Sequence, residues 1–369
     1  MAKKINKKFE FGRYKNIALV IVLALIIASI FFIQNMQKDS RVQTTYTELA
    51  IKDSSERVKQ KSAKYLRAKE LVEPNGYLNI DNITIAENIG KNIILIDFWT
   101  YSCINCQRTI PYLNTWYEKY KDKGLVIIGI HTPEFDFEKD YNNVKRAIEK
   151  FGIKYPVAQD NEYQTWNAYK NRYWPRKYLI DIDGFIVYDH IGEGAYEGTE
   201  RRIQELLEER NQVLKLSEQI TKDISKPEAE TPSQIGTPEI YFGYSFSRNQ
   251  IGNPEGWQPN KIVKYTTPQK LQSNKFYLVG DWLNNKDNLE LVNNQGAILL
   301  VYLAKKVNLV AGSKQPIEIT VYLDGQEHKR VNISDFDLYN IISTEESGTH
   351  ILEINTNSSG LMAYTFTFG

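Results

Sequence analysis

Cys103 and Cys106 are the only cysteines in a chain of 369 residues, and they stand close together in the stretch FWTYSCINCQRTIP, residues 98–111. Two sulfurs at that spacing support three chemistries: half of a metal site, a small structural clip, or a redox couple. A structural zinc needs about four ligands. No second cysteine pair exists, and His131, His190, His328 and His350 show no ligand-pair spacing, which argues against a metal. A clip closing so short a loop removes little entropy from the unfolded chain. A dithiol–disulfide couple remains, and it needs no cofactor beyond the two sulfurs.

The elements around the pair decide what each sulfur would do. Ile93 to Trp99 reads as a strand buried on both faces, and a helical pattern starts near Cys103, so the cysteines sit at a strand-to-helix junction. Free N–H groups and the dipole at a helix amino terminus stabilise a thiolate, which can lower a cysteine pKa from about 8.5 to roughly 4–7. Cys103, in the first turn, is then the expected nucleophile. Cys106, one turn further in, would attack a mixed disulfide on Cys103 and release the product.

Asp97 lies six residues before Cys103 in a strand otherwise made of Ile, Leu and aromatic residues. If buried, its pKa rises towards neutral and suits it to accept the Cys106 proton; the alternative is a solvent-facing strand end. Trp99, Tyr101, Tyr173 and Trp174 form either an apolar rim that binds substrate around the sulfurs or part of the core. His131 follows a buried strand at its carboxyl end, the edge where α/β sites collect, as a titrating group or as a histidine satisfied by hydrogen bonds.

From residue 83 to 210 short apolar runs alternate with helical patterns. ITIAE at 83–87 and NIILIDFW precede a helix from about 104, and LVIIGI at 125–130 precedes helices near 139–151 and 162–169. Strands KYLIDI and FIVYDHI flank Asp183 and Gly184, a pair suited to a tight hairpin, before a last helix at about 196–211. The alternation predicts an α/β sheet covered by helices on both faces. Residues 213–237, rich in proline and charge, read as a linker. From 238 to 369 many short β-rich runs predict an antiparallel jelly-roll sandwich of galactose-binding-like type. Within it Tyr241, Tyr244, Trp257 and Trp282 are either a platform for a glycan or core.

Residues 17–33, IALVIVLALIIASIFFI, are uncharged and apolar, and 17 helical residues span roughly 25 Å, near the short limit for a bilayer. Six Lys and Arg residues precede the run against a single Glu10. The positive-inside rule then makes 1–16 a cytoplasmic tail, 17–34 an uncleaved transmembrane anchor, 35–76 a helical stalk and 77–212 an extracytoplasmic α/β domain. With 46 basic and 45 acidic side chains, nothing in the charge balance suits a nucleic-acid partner.

IDFWTYSCINC, GIHTPEF, QDN, WNAY and NRYWP together resemble the thioredoxin-like part of DipZ-type proteins, related to the TlpA and AhpC/TSA groups, over residues 77–211. TPEIYFGYS opens a portion that resembles the sandwich following it in the same proteins. The resemblance implies a thioredoxin fold in which Asp97 is the buried proton acceptor and Pro111 bends the active-site helix. Pro175 would be the cis-proline facing the cysteines, leaving the Trp174 backbone open to an extended substrate. DipZ-type proteins carry a multi-span membrane domain, whereas this chain has a single apolar run, so a separate membrane electron-transfer protein is the expected redox partner. TlpA-like relatives favour reduction of disulfides in exported proteins, as in cytochrome c maturation, over their formation. Two other functions remain. A thiol peroxidase is suggested by Thr100, three residues before Cys103, although Ile96 replaces the proline of that motif. A carbohydrate or cell-wall binding protein with an attached redox domain is the third.

Overall fold

The structure is a computed structural model and describes residues 56–229, 235–246 and 248–369. The expected tail, the anchor and the stalk up to residue 55 lie outside the described residues. Among the described residues no helix is long and apolar enough to cross a membrane.

The first domain runs, in chain order, α1 (Glu56–Lys64), β1 (Leu66–Arg67), β2 (Gly76–Leu78), α2 (Ile85–Asn88), β3 (Ile93–Trp99) and α3 (Ile104–Tyr120). It continues with β4 (Leu125–His131), α4 (Tyr141–Phe151), β5 (Val157–Gln159), α5 (Gln164–Ala168), β6 (Arg176–Ile180), β7 (Phe185–Ile191) and α6 (Tyr196–Leu214). Its seven strands form one sheet in the order β1-β7-β6-β3-β4-β5-β2. Strand β3, IILIDFW, is central and all seven residues are buried, because alternate side chains enter different cores. Ile93, Leu95 and Trp99 pack with Ile110, Leu113 and Trp116 of α3 and Leu206 and Leu207 of α6. Ile94, Ile96 and Phe98 pack on the other face with Trp166 and Tyr169. The Asp183-Gly184 hairpin forms between β6 and β7, with Asp181 accepting the N–H groups of Asp183 and Phe185.

Two expectations change. ITIAE at 83–87 contains helix rather than strand: Thr84 accepts the Glu87 N–H while the Glu87 carboxylate accepts the Thr84 N–H, a reciprocal cap that fixes a short helix. Residues 56–76 are not a free stalk. Lys61 bonds Asp181 at 2.7 Å, Asp183 at 2.8 Å and also Glu209, Arg57 grips Asp183 through two 2.8 Å bonds, and β1 pairs with β7 while β2 pairs with β5. The α/β domain therefore begins at α1, held by ion pairs between residues more than 100 positions apart.

The second half of the chain is all-β: β8 (Ile240–Tyr241), β9 (Ile262–Tyr265), β10 (Phe276–Asn284), β11 (Leu289–Gly312), β12 (Ile317–Leu323), β13 (Gln326–Ile333), β14 (Asp337–Thr356) and β15 (Met362–Phe368). Its strand pairings are antiparallel in one hydrogen-bonded network. Long β11 keeps β14 on one edge while its other edge passes from β10 to β15, around a core that includes Trp282, Leu300, Leu309 and Phe366. The start of the linker is no free tether, since Ser225 donates its N–H to Glu200 of α6 at 2.7 Å.

All of β15 is buried because its two faces serve different partners. Phe366 and Phe368 enter the core of the all-β domain. Met362 and Tyr364 pack with Tyr241 against Phe135 and Phe137, which belong to the loop between β4 and α4. Arg146 to Asp335 at 3.3 Å and Lys150 to Asp337 at 2.5 Å rim this interface, and the described residues lie in one compact unit.

Candidate active site

Cys103 is the N-cap of α3, and its Sγ accepts the Cys106 N–H at 3.3 Å. Both thiols are free; Cys106 is buried, whereas Cys103 is partly open to solvent. Burial, followed by the hydrogen bond with Cys103, pushes the Cys106 thiol well above its ordinary value. A protonated inner sulfur and an outer sulfur facing a backbone N–H are different chemical groups, although two residues alone separate them.

Asp97 is 1% exposed, and its Oδ1 has no hydrogen-bond partner among the described residues. Burial raises its pKa to about 7, against the opposing pull of Lys177. In the β3–β6 register Lys177 stands directly opposite Asp97, with Nζ 4.0 Å from Oδ1 and no exposure of its own. Burial pushes the Lys177 pKa down, and Asp97 is the leading influence in the other direction. On the β4 side Asp97 faces Gly129, where a Cβ would lie 2.9 Å from Trp99 Nε1 and 3.2 Å from the Tyr155 ring. Sequence reasoning missed Lys177, although a lysine in the apolar run KYLI was a visible irregularity.

The Trp174–Pro175 bond is cis. Pro175 is buried, and Trp174 is half-buried, its Nε1 donating to the Thr132 carbonyl at 2.9 Å while its ring lies 4.3 Å from that of Trp166. Of the expected aromatic rim, Tyr173 is exposed, but Trp99 and Tyr101 are interior. Trp99 shares the inward face of β3, and Tyr101 is sealed by the second domain, its O–H donating to the Phe336 carbonyl at 3.1 Å. Neither side chain is placed to touch a substrate. His131 lies between these two rings, at 5.1 Å from Trp99 and 5.8 Å from Tyr101. Burial depresses its pKa to about 3, so it is neutral at physiological pH and does not titrate there.

Glu138 is a second group the sequence did not reveal. Fully buried, it accepts the Ser102 O–H at 2.6 Å, immediately before the nucleophile, and the Phe135 N–H at 3.0 Å. Thr100 is also buried, its hydroxyl 3.4 Å from His131 Nε2. In the all-β domain, Trp282 is core, Tyr241 is interdomain, Trp257 is half-buried with its Nε1 donating to the Phe242 carbonyl at 2.8 Å, and Tyr244 is half-buried. Trp282, Tyr241 and Trp257 are thus spent on packing, the second of the two readings, whereas Tyr244 donates its O–H to Asn260 Oδ1 at 3.3 Å. The carboxylates of Asp181, Asp183 and Glu209 converge closely enough to hold a metal, but Lys61 already supplies the positive charge between them.

Residues 67–189 match the AhpC/TSA family and residues 237–369 match the thioredoxin-like C-terminal domain. Protein DipZ of Mycobacterium tuberculosis is 37% identical over 308 residues, which cover 82% of this chain and 43% of DipZ. The chain thus spans less than half the length of those relatives. The thiol-disulfide oxidoreductase YkuV of Bacillus subtilis is 28% identical over 140 residues, 38% of this chain and 93% of YkuV. The thiol-disulfide oxidoreductase ResA of Bacillus thuringiensis is 35% identical over 117 residues, 32% of this chain and 64% of ResA. The likeness to DipZ-type proteins read from the motifs is borne out across both domains.

Proposed function

We propose that this thioredoxin-fold relative of DipZ-type proteins is a thiol-disulfide oxidoreductase in which Cys103 attacks and Cys106 resolves. The observation that carries the reading is the asymmetry of the pair: an accessible N-cap sulfur that accepts an N–H bond, and a closed, protonated sulfur close enough to Asp97 for its charge to be felt. The Cys103 thiolate attacks one sulfur of a substrate disulfide, forming a mixed disulfide and expelling the other sulfur as a thiol. Asp97 takes the Cys106 proton, and the resulting thiolate attacks Cys103 Sγ and releases the second substrate thiol. Two electrons leave the protein, which keeps a Cys103–Cys106 disulfide.

Exported proteins are the proposed substrates, and a separate membrane protein that carries electrons across the bilayer is the proposed source of reducing equivalents. The apolar run at 17–33 behind a basic amino-terminal segment supports a single-pass anchor with the cysteines outside the cytoplasm. Proteolysis of intact cells that spares residues 56–369 would remove that location. For the chemistry, a Cys106→Ser chain is expected to accumulate proteins disulfide-linked to Cys103, and Cys103→Ser to accumulate none. Equal trapping by both chains would refute the assignment of the nucleophile.

A further inference from the structure

The loop between β4 and α4 touches the nucleophile and the second domain at once. On one side Glu138 Oε1 accepts the Ser102 O–H at 2.6 Å and the Ser102 N–H at 3.3 Å. Its Oε2 accepts the N–H groups of Glu134 at 2.6 Å and Phe135 at 3.0 Å. On the other side Glu134 accepts the Tyr241 O–H at 2.7 Å. The Phe135 ring lies 5.1 Å from that of Tyr364 and 5.6 Å from Phe246, and the Phe137 ring 4.7 Å from Tyr364 and 5.4 Å from Phe336. A buried carboxylate that meets so many donors is held in place by all of them, and holds all of them in turn. The backbone it grips runs straight into Cys103, whose N–H donates to the Thr100 carbonyl at 3.4 Å.

We propose that Glu138 is a positioning residue for the dithiol: it pins the turn Thr100–Ser102, and through Glu134, Phe135 and Phe137 it makes the sandwich domain a buttress for Cys103. The proposal rests on the redox function set out above. Closure of Cys106 onto a disulfide at Cys103 is intramolecular, and such steps depend steeply on alignment, so that a misplacement of about 1 Å can cost roughly 100-fold. A glutamine at 138 keeps one acceptor oxygen but turns an NH2 group on either the Ser102 donors or the Glu134 and Phe135 N–H groups, which lose their acceptor in the interior, and the turn must move to find another.

The full-length chain with dithiobis(nitrobenzoate) separates alignment from reactivity. The Cys103 thiolate attacks one reagent sulfur and releases one thionitrobenzoate. Cys106 then gives up its proton, attacks Cys103 Sγ and releases the second, leaving the Cys103–Cys106 disulfide. In Glu138→Gln the second release is expected to slow by roughly 10-fold relative to the first, a ratio that a general loss of stability does not change. Ser102→Ala, which removes one donor from a small buried side chain, lowers the ratio less. Tyr364→Ala, remote from the sulfurs in the sandwich, lowers it as well. An unchanged ratio in folded Glu138→Gln, or in Ser102→Ala should Glu138→Gln not fold, overturns the positioning role. A fall in those variants with none in Tyr364→Ala overturns the buttress. Absence of any second release from the unaltered chain would instead overturn the redox function on which the proposal rests.

Discussion

Lys177 and Asp97 face one another on adjacent antiparallel strands, Nζ 4.0 Å from Oδ1, and neither side chain reaches solvent. The two opposing pulls on Asp97 explain how a carboxyl comes to titrate near neutral pH. Burial alone would hold it protonated, and the ammonium beside it brings its pKa back to about 7. An acid poised there can accept a proton from Cys106 and return it within one cycle.

Replacing Lys177 by Met removes the downward pull and leaves burial unopposed, so the Asp97 pKa should rise further. The second thionitrobenzoate release, which needs ionised Asp97, should then shift its pH midpoint upward by about 1 unit or more. The first release should keep its profile. Stopped-flow absorbance from pH 5 to 9 reads both, and an unmoved midpoint for the second step would separate Lys177 from the proton transfer.

Asp97→Asn tests the same group through stability. Burial holds the native carboxyl at about 7 against 3.8 unfolded, so between these values the native state binds more protons and stability falls as pH rises. The interval of about 3 units corresponds to at most roughly 4 kcal/mol. The amide should therefore stabilise the protein at pH 8 by up to that amount, less what Lys177 loses with its counter-charge, and should have little effect at pH 4. Urea unfolding at both pH values decides. Equal effects at pH 4 and 8 would mean that Asp97 is not titrating in the interior.

Across the domain interface Glu134 and Glu239 both accept from the Tyr241 O–H, at 2.7 and 3.2 Å. Burial, and then the charge of Glu239, pushes Glu134 up to about 8. Between 4.5 unfolded and about 8 folded the closed contact binds more protons, so its stabilisation is lost as pH rises across that interval and is fully gone above 8. Hydrogen exchange at β15 and around Phe336 should speed up between about pH 5 and 8, after correction for intrinsic rates. Glu134→Gln should abolish that acceleration. An acceleration that survives the substitution would place its cause elsewhere.

What could be read from the sequence was local. The run IILIDFW, the Asp183-Gly184 turn, the CINC junction and Asp97 lie within short stretches whose period and turn chemistry state their structure directly. Lys177 escaped because its meaning comes from the β3–β6 register, which brings together residues 80 positions apart in sequence. Glu138 escaped because only a folded loop returns it to Ser102, and Tyr101 stayed open between rim and core because the carbonyl that seals it belongs to a residue 235 positions away. The cap at Thr84 and Glu87 was legible as T-x-x-E, yet the apolar alternation around it had more weight. The second domain read as all-β from its strand-forming runs, but which of its aromatics would be spent on packing depended on a tertiary interface that no local pattern states.

Lys61 fastens the first described helix to the domain by satisfying Asp181, Asp183 and Glu209 together. Asp181 is closed to solvent, so Lys61→Met leaves a buried carboxylate beside a second one without its cation. Breaking such a cluster typically costs about 3–5 kcal/mol, because the remaining charge keeps its desolvation penalty. The penalty applies to the ionised form, and repulsion between Asp181 and Asp183 in the variant raises their pKa values and favours their neutral forms on acidification. The deficit relative to the unaltered chain should thus be largest near pH 7 and shrink below about pH 4. Urea unfolding at the two pH values, with Arg57→Met as a companion that leaves Lys61 in place, measures it. A Lys61→Met deficit independent of pH would assign the helix to apolar docking through Val58 and remove the ion-pair cluster as its cause.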